Sequence, residues 1–306
     1  MSPAHFKRVI TFLVVLIALF ATIATTTGIF SKEGPGKYEY KSIRGRVVTI
    51  YGKGLYKDMS AEVAPQGIAQ DIVTLLAGIP LLIVSLLLAT KGSQKGRYML
   101  AGTLGYFLVT YLFYTVMGMY NKLFLVYVIL MGLSFYAFII TLLSLQTIKL
   151  KEGFASSTPV KATGIFLIFT AVSIAFLWLN IVVPPLLTGQ VVPVEAEHYT
   201  TLIVQGLDLG ILLPAAFISG ISWIRRTRMG YLFAPVYFIF LSLLMTALSA
   251  KVIAMFILGY NVVPVIFIIP TFNILTVTCT GAILKNVIEL SRIKKVIQYE
   301  KAGLEQ

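Results

Sequence analysis

Apolar residues in this chain come in long unbroken runs, separated by short polar stretches. Eight runs stand out: 9–30, 68–90, 99–120, 123–148, 163–187, 199–224, 231–259 and 262–288. Each holds about 20 or more mostly apolar residues, enough at ~1.5 Å per residue to cross ~30 Å of hydrocarbon as a helix. The pattern predicts an all-α fold, a polytopic membrane helix bundle of about eight transmembrane helices, with residues 1–306 forming a single membrane domain. The apolar stretch Val9 to Ala24 is longer than the core of a usual signal peptide and reads as an uncleaved anchor.

Between the first two runs lies the one sizeable extramembrane segment, 31–66. Its Val47-Val48-Thr49-Ile50-Tyr51 stretch, followed by Gly52-Lys53-Gly54, predicts a strand and a glycine turn. The expected arrangement is a hairpin ordered over the outer helix ends. The tail, 289–306, reads as a helix leaving the membrane, with Arg292, Lys294 and Lys295 near anionic headgroups.

Composition supports the membrane reading. Of 306 residues, 58% are hydrophobic and only 12% charged, where a soluble domain carries about a quarter charged; mean hydropathy is +0.90. The formal charge of +13 follows topology and not nucleic acid, because no basic patch coincides with a groove-reading element. Basic residues alternate between connections. One set holds Lys7 and Arg8, Lys91 to Arg97, Lys149 to Lys161, Arg225 to Arg228, and the tail. The opposite short connections hold only Lys122. The first set is therefore expected in the cytoplasm, with both chain ends, in a plasma-membrane protein. Segment 31–66 is the exception, with seven basic residues diluted by Glu33, Glu39, Asp58 and Glu62.

Weak matches relate the two halves, 1–150 and 160–290. Asp71 aligns with Asp208, Lys95–Ala101 with Arg228–Ala234, and Tyr120-Asn121 with Tyr260-Asn261, at offsets of 137, 133 and 140. Two parallel four-helix repeats would be related about the membrane normal, with a site between them.

Ionisable groups inside hydrocarbon are functional candidates by default. Three qualify. Asp71 lies about a turn inside span two, at headgroup depth, where it would complement the helix dipole. Asp208 lies deeper, sharing a face with Thr201 and Gln205, while Gly206 and Gly210 form a GxxxG face suited to close packing. Lys251 sits at matching depth in span seven, which predicts that it meets Asp208. Asn273, after Pro270 in span eight, and Asn180, before Pro184-Pro185 in span five, suggest interrupted helices of the transporter kind. Thr103, Tyr106, Thr110 and Tyr114 form a stripe on span three that reads as helix packing.

Other chemistry finds little support. The single Cys279 excludes an internal disulfide, and His5 and His198 lie in different loops, where a bis-histidine haem would need two helical histidines. Glu195, Glu197 and His198 lack a metal-binding spacing, and there is no GxSxG. No catalytic group, metal or cofactor is assigned. The expected substrate-binding residues are Asp208, Lys251, Gln205, Asp71 and Asn273. The leading reading is a transporter-like protein that binds a small solute or ion between two halves. Its partners are the lipid bilayer and that solute, and no nucleic acid. The rivals are a sensor or complex subunit that uses segment 31–66, and an enzyme acting on lipid at the outer leaflet.

Overall fold

The computed structural model describes residues 3–146, 150–189 and 192–289. Among them are eight helices long and apolar enough to span a bilayer. They are α1 (Pro3–Phe30), α2 (Val63–Thr90), α3 (Gln94–Val116), α4 (Phe124–Gln146), α5 (Val160–Leu187), α6 (Ile203–Ile224), α7 (Arg228–Ile257) and α8 (Val265–Lys285). The chain is an all-α, multi-pass membrane bundle. The basic tail expected beyond Glu289 lies outside the described residues.

Large apolar side chains face outward along six of the helices, for instance Phe12 on α1, Leu76 on α2, Leu125 on α4, Phe176 on α5, Ile218 on α6 and Phe267 on α8. Water would make that belt intolerable, and lipid makes it neutral. Helices α3 and α7 differ. Their exposed large apolar residues lie only near their ends, at Val116, Met229 and Ile253 to Ile257. These two helices form the centre. α3 packs on α2, α4 and α7, and α7 packs on α2, α3, α6 and α8. They cross closely at Gly102, where an added Cβ would lie 2.4 Å from Ile239 and 2.8 Å from the Val236 carbonyl.

Two helices are not α-helical throughout. α2 widens to a π turn at Thr74–Gly78 and α6 at Asp208–Leu212. Pro80 and Pro214 follow immediately and cannot donate to the carbonyls four residues back. The ladder shifts instead, so that Ile79 N donates to Thr74 O and Leu213 N to Asp208 O, five residues apart. The expected interruptions at Pro184-Pro185 and Pro270 are absent, since α5 and α8 run through them as α-helix.

The π turns belong to a longer correspondence. From the π turn through the following helix, a tight turn and the next helix start, elements recur 134 residues apart: Thr74 and Asp208, Ile79 and Leu213, Gln94 and Arg228. In the tight turn Gly92 and Arg226 both adopt positive φ. Ser93 and Thr227 both cap the next helix, accepting from Gly96 N and Gly230 N. This register pairs Asp71 with Gln205 and Asp208 with Thr74, where the sequence matches pair Asp71 with Asp208.

Segment 31–62 folds over one end of the bundle. β1 (Tyr38–Lys41) and β2 (Val47–Ile50) pair antiparallel, with Tyr38 opposite Ile50. The hairpin turn precedes β2, at 42–46. Gly52 and Gly54 instead cross the chain at 34–36, where an added Cβ on Gly52 would lie 1.7 Å from the Gly36 carbonyl. The hairpin tip is fastened to the α5–α6 connection. Arg44 donates to the carbonyls of Tyr199 (2.6 Å) and Thr200 (2.8 Å). Ser60 N donates to the Tyr199 hydroxyl, and Tyr260 in the α7–α8 turn donates to Ala61 O. At the other end, Glu289 accepts from Ser93 Oγ (2.7 Å) and Gln94 N (2.8 Å), placing a carboxylate at the N-terminus of α3.

Candidate functional site

Helix α2 begins at Val63, five residues earlier than expected, because Pro65 is tolerated in a first turn. Asp71 therefore sits eight residues into the helix, about 12 Å along its axis. It is 1% exposed. Its Oδ2 accepts from the Tyr56 phenol at 2.5 Å and its Oδ1 from the Tyr114 phenol at 3.0 Å. Burial holds the Tyr56 phenol well above its ordinary pKa, so it remains a donor. Gly28 of α1 closes the remaining side, with room for no side chain: a Cβ there would lie 1.8 Å from Asp71 Oδ2. Tyr111 and Tyr127 complete the cage, their rings stacked at 6.1 Å. Neither hydroxyl has a hydrogen-bond partner among the described residues. One turn deeper, Gln70 donates to Tyr106 (2.8 Å), whose hydroxyl meets Thr74 Oγ1 at 2.8 Å. The stripe on α3 thus does more than pack, because Tyr106, Thr110 and Tyr114 all bond α2 side chains.

Asp208 is arranged differently. It opens the π turn of α6, five residues from that helix's start, and Oδ2 accepts from Trp178 Nε1 of α5 at 2.8 Å. Tyr237 of α7 donates to Leu212 O at the end of the same turn. Helices α5 and α6 cross tightly at their far ends. There Gly164 and Gly220 face each other, and an added Cβ on either would lie 3.0–3.1 Å from the other's carbonyl oxygen. That crossing performs the close packing expected of Gly206 and Gly210, which are exposed, with nothing within 4 Å of an added Cβ. Towards the hairpin end the two helices splay into a V. The V holds a cleft of about 330 Å³, lined by Val182, Pro185 and Leu186 from α5, by Leu202, Gln205, Gly206 and Leu209 around the start of α6, and by Arg44 of the hairpin with Thr200 and Thr201 of the α5–α6 connection. Trp178 and Asp208 are not among its lining residues.

Lys251 stands six residues from the end of α7. It lies within charge range of Asp208, the stronger interaction, and of Asp71. Among the described residues it bonds directly to neither: Asp208 takes its hydrogen bond from Trp178, and Asp71 from the two phenols. The expected direct Asp208–Lys251 bond does not occur among the described residues; the two groups lie within charge range of each other. Gln205 lines the cleft. Asn273 is not part of this group, since its Oδ1 accepts from Thr246 Oγ1 at 3.2 Å across α7 and α8. Asn180 is exposed.

The acidic loop packs against the outer segment. Glu197 adopts φ +45 and stands beside Glu62, whose carboxyl is pushed up by burial and then by Glu197. His198 Nε2 lies 3.2 Å from Asp58 O. No group of three potential metal ligands occurs among the described residues. Sequence reading missed Tyr56, Trp178 and Gly28. The only signal for the tyrosines was their number, 16 in the chain. Comparison with protein families, curated proteins and solved structures finds no match to this chain.

Proposed function

We propose that this protein is a carrier that binds a small solute or ion between two four-helix halves, through Asp208, Lys251, Gln205 and Asp71. The observation that carries the reading is the placement of Lys251. Lys251 of the second half lies within charge range of a carboxylate of its own half and of one of the first, so any motion of the halves changes the electrostatics of all three. A charge in hydrocarbon is costly and persists where it is used. The 134-residue register supports the two halves. Gly102 of α3 and Val236 of α7 are counterparts in it and touch each other, as residues beside a two-fold axis do. The paired π turns give each half a helix with a spare carbonyl, a common feature of functional sites.

In this reading the protein sits in the plasma membrane with both ends in the cytoplasm and the hairpin outside. Asn273 supports the site indirectly, by joining α8 to α7. The test is solute flux into proteoliposomes across a panel of cations, amines, amino acids and sugars. Accumulation of one class, abolished by Lys251→Met in protein that keeps its helical content, supports the carrier. A folded protein that moves none of them overturns it.

A further inference from the structure

We infer that the cleft between α5 and α6 holds an acyl chain of an anionic phospholipid, whose phosphate sits on Arg44 at the hairpin end. This goes beyond the carrier reading and does not rest on it, although Gln205 lines the cleft. Three observations lead here. First, the cleft is amphipathic in a fixed direction. Its walls along the helices are apolar, with Val182, Pro185 and Leu186 from α5 and Leu209 from α6, while Arg44, Thr200 and Thr201 come from the hairpin and the connection beyond the helix ends. Second, Arg44 is the one charged group in that lining among the described residues. It donates to the carbonyls of Glu197 (3.4 Å), Tyr199 and Thr200, and among the described residues no carboxylate pairs with it. Carbonyls position a guanidinium without neutralising it, and these bonds leave donors free in a geometry that suits phosphate. The nearby carboxylate of Glu197 stands beside Glu62 and does not line the cleft. Third, the cleft lies on the lipid side of the bundle. Leu186 is 65% exposed and Leu187 81%. On α6, Gly206 and Gly210 are exposed, with nothing within 4 Å of an added Cβ, so a hydrocarbon chain can lie flat against that helix.

These features choose among ligands. A small soluble anion would match Arg44 and leave the apolar walls bare. An uncharged apolar molecule would fill the walls and leave the guanidinium without a counterion. A zwitterionic headgroup brings an ammonium that meets no carboxylate in the lining. An anionic lipid satisfies both parts at the depths where they occur, with its chain in hydrocarbon and its phosphate at the interface. The surrounding segment has the same sign, since 31–66 carries seven basic residues against four acidic ones. A cleft of about 330 Å³ is at the small end of ligand sites, roughly 300–1,000 Å³. It therefore takes part of one chain, and the rest of the lipid stays in the bilayer.

The experiment uses the full chain in phosphatidylcholine nanodiscs and reads the fluorescence of Trp178, one turn from Val182 on α5. The other tryptophan, Trp223, is fully buried near the far end of α6 and gives a constant background. Phosphatidylglycerol or phosphatidylcholine with brominated chains is titrated in, because bromine quenches an indole on contact. The phosphatidylglycerol should quench saturably, at a mole fraction about tenfold below that of the phosphatidylcholine. Arg44→Gln should erase this preference, and Arg44→Lys, which keeps the charge, should retain part of it. Arg44 also fastens the hairpin, so a second variant leaves that contact intact. Gly206→Leu fills the cleft from an exposed position and should remove the saturable quenching with thermal stability unchanged. Glycerol 3-phosphate, the soluble part of the headgroup, should not displace the lipid. Displacement by it would mark a site for free anions and overturn the inference. Equal quenching by the two lipids, or a preference indifferent to Gly206→Leu, overturns it as well. No step requires transport. A failed lipid titration leaves the carrier standing, and a folded protein that moves no solute leaves the lipid site standing.

Discussion

Gly28→Ala is a substitution whose sign depends on one contact. On an exposed helix face, alanine for glycine stabilises by about 1 kcal/mol. Gly28 is buried on α1, and its new Cβ would lie 1.8 Å from Asp71 Oδ2 and 2.9 Å from the Tyr56 hydroxyl. The carboxylate cannot simply swing away, because phenols hold both of its oxygens. Two costs follow. Overpacking takes about 1–3 kcal/mol. Loss of a charge-assisted hydrogen bond from a buried site takes about 1.5–3 kcal/mol. The sum, set against the helix propensity gain, is a destabilisation of about 2–5 kcal/mol. The assay is unfolding in mixed micelles of rising dodecyl sulfate fraction, read by circular dichroism. It is run as a cycle with Asp71→Ala, which removes the clashing oxygen. In that background Gly28→Ala should cost under about 1 kcal/mol, a large coupling between contacting residues. The same cost in both backgrounds would refute the cage.

Gly164→Ala should destabilise by about 1–3 kcal/mol, since its Cβ would meet Ile224 at 2.5 Å; Gly206→Ala should be neutral or stabilise by up to about 1 kcal/mol. The same micelle titration checks both, and equal costs would remove the V-shaped splay. Glu62 is held above its ordinary carboxyl pKa by burial and by Glu197, so its ionised form is the one disfavoured in the fold. Its contribution is fully present below the unfolded pKa and is lost as pH rises through the folded one. Glu62→Gln should therefore raise the melting temperature at pH 7–8 (about neutral, where the native group ionises) and leave it unchanged near pH ~4. For orientation, single cysteines at Ile43, 91% exposed, and at Ser157, with Cys279 replaced, should differ. An impermeant thiol reagent on intact cells should label position 43 and spare position 157.

The spans were legible because hydrocarbon thickness imposes a length on every apolar run, and no other fold accommodates so many of them. Their ends were less so. Val63 to Gly67 reads as loop, carrying a proline, a glutamine and a glycine, yet it is the first turn of α2, so Asp71 lies further from the helix start than the pattern implies. The site was half legible. Charge in an apolar run exposes Asp71, Asp208 and Lys251 at once, but what each one touches depends on residues remote in sequence. Trp178 is 30 residues from Asp208, and Gly164 meets Gly220 without any local motif. The Gly206–Gly210 spacing fitted a packing motif, but a motif specifies shape and not the neighbour. The two π turns leave a trace in the sequence only in Pro80 and Pro214, and a proline in a membrane helix does not by itself announce a π turn.

The shared scaffold makes the difference between the halves informative. In the 134-residue register Gln70 corresponds to Val204, Tyr106 to Phe240, Thr110 to Leu244 and Tyr114 to Leu248. Four of the six side chains that hydrogen-bond between α2 and α3 in the first half are thus apolar in the second, while the other two, Asp71 and Thr74, correspond to Gln205 and Asp208. The closing helices differ too. α1 packs along α4, sealing the first half with Gly28 against the carboxylate. Their counterparts, α5 and α8, make ring contacts through Phe166 and Phe169 on Phe272, and α5 leans away towards the hairpin end. One backbone plan therefore holds a carboxylate in two ways. Phenols and Gly28 enclose the first, which is 1% exposed. The second has one oxygen bonded to an indole and is the chain neighbour of Leu209, which lines the cleft. Under the proposed carrier reading, an enclosed charge can fix the resting electrostatics of Lys251 but cannot meet a solute, so ligand contact falls to the second half and the first half sets, through Lys251, how strongly Asp208 attracts a ligand.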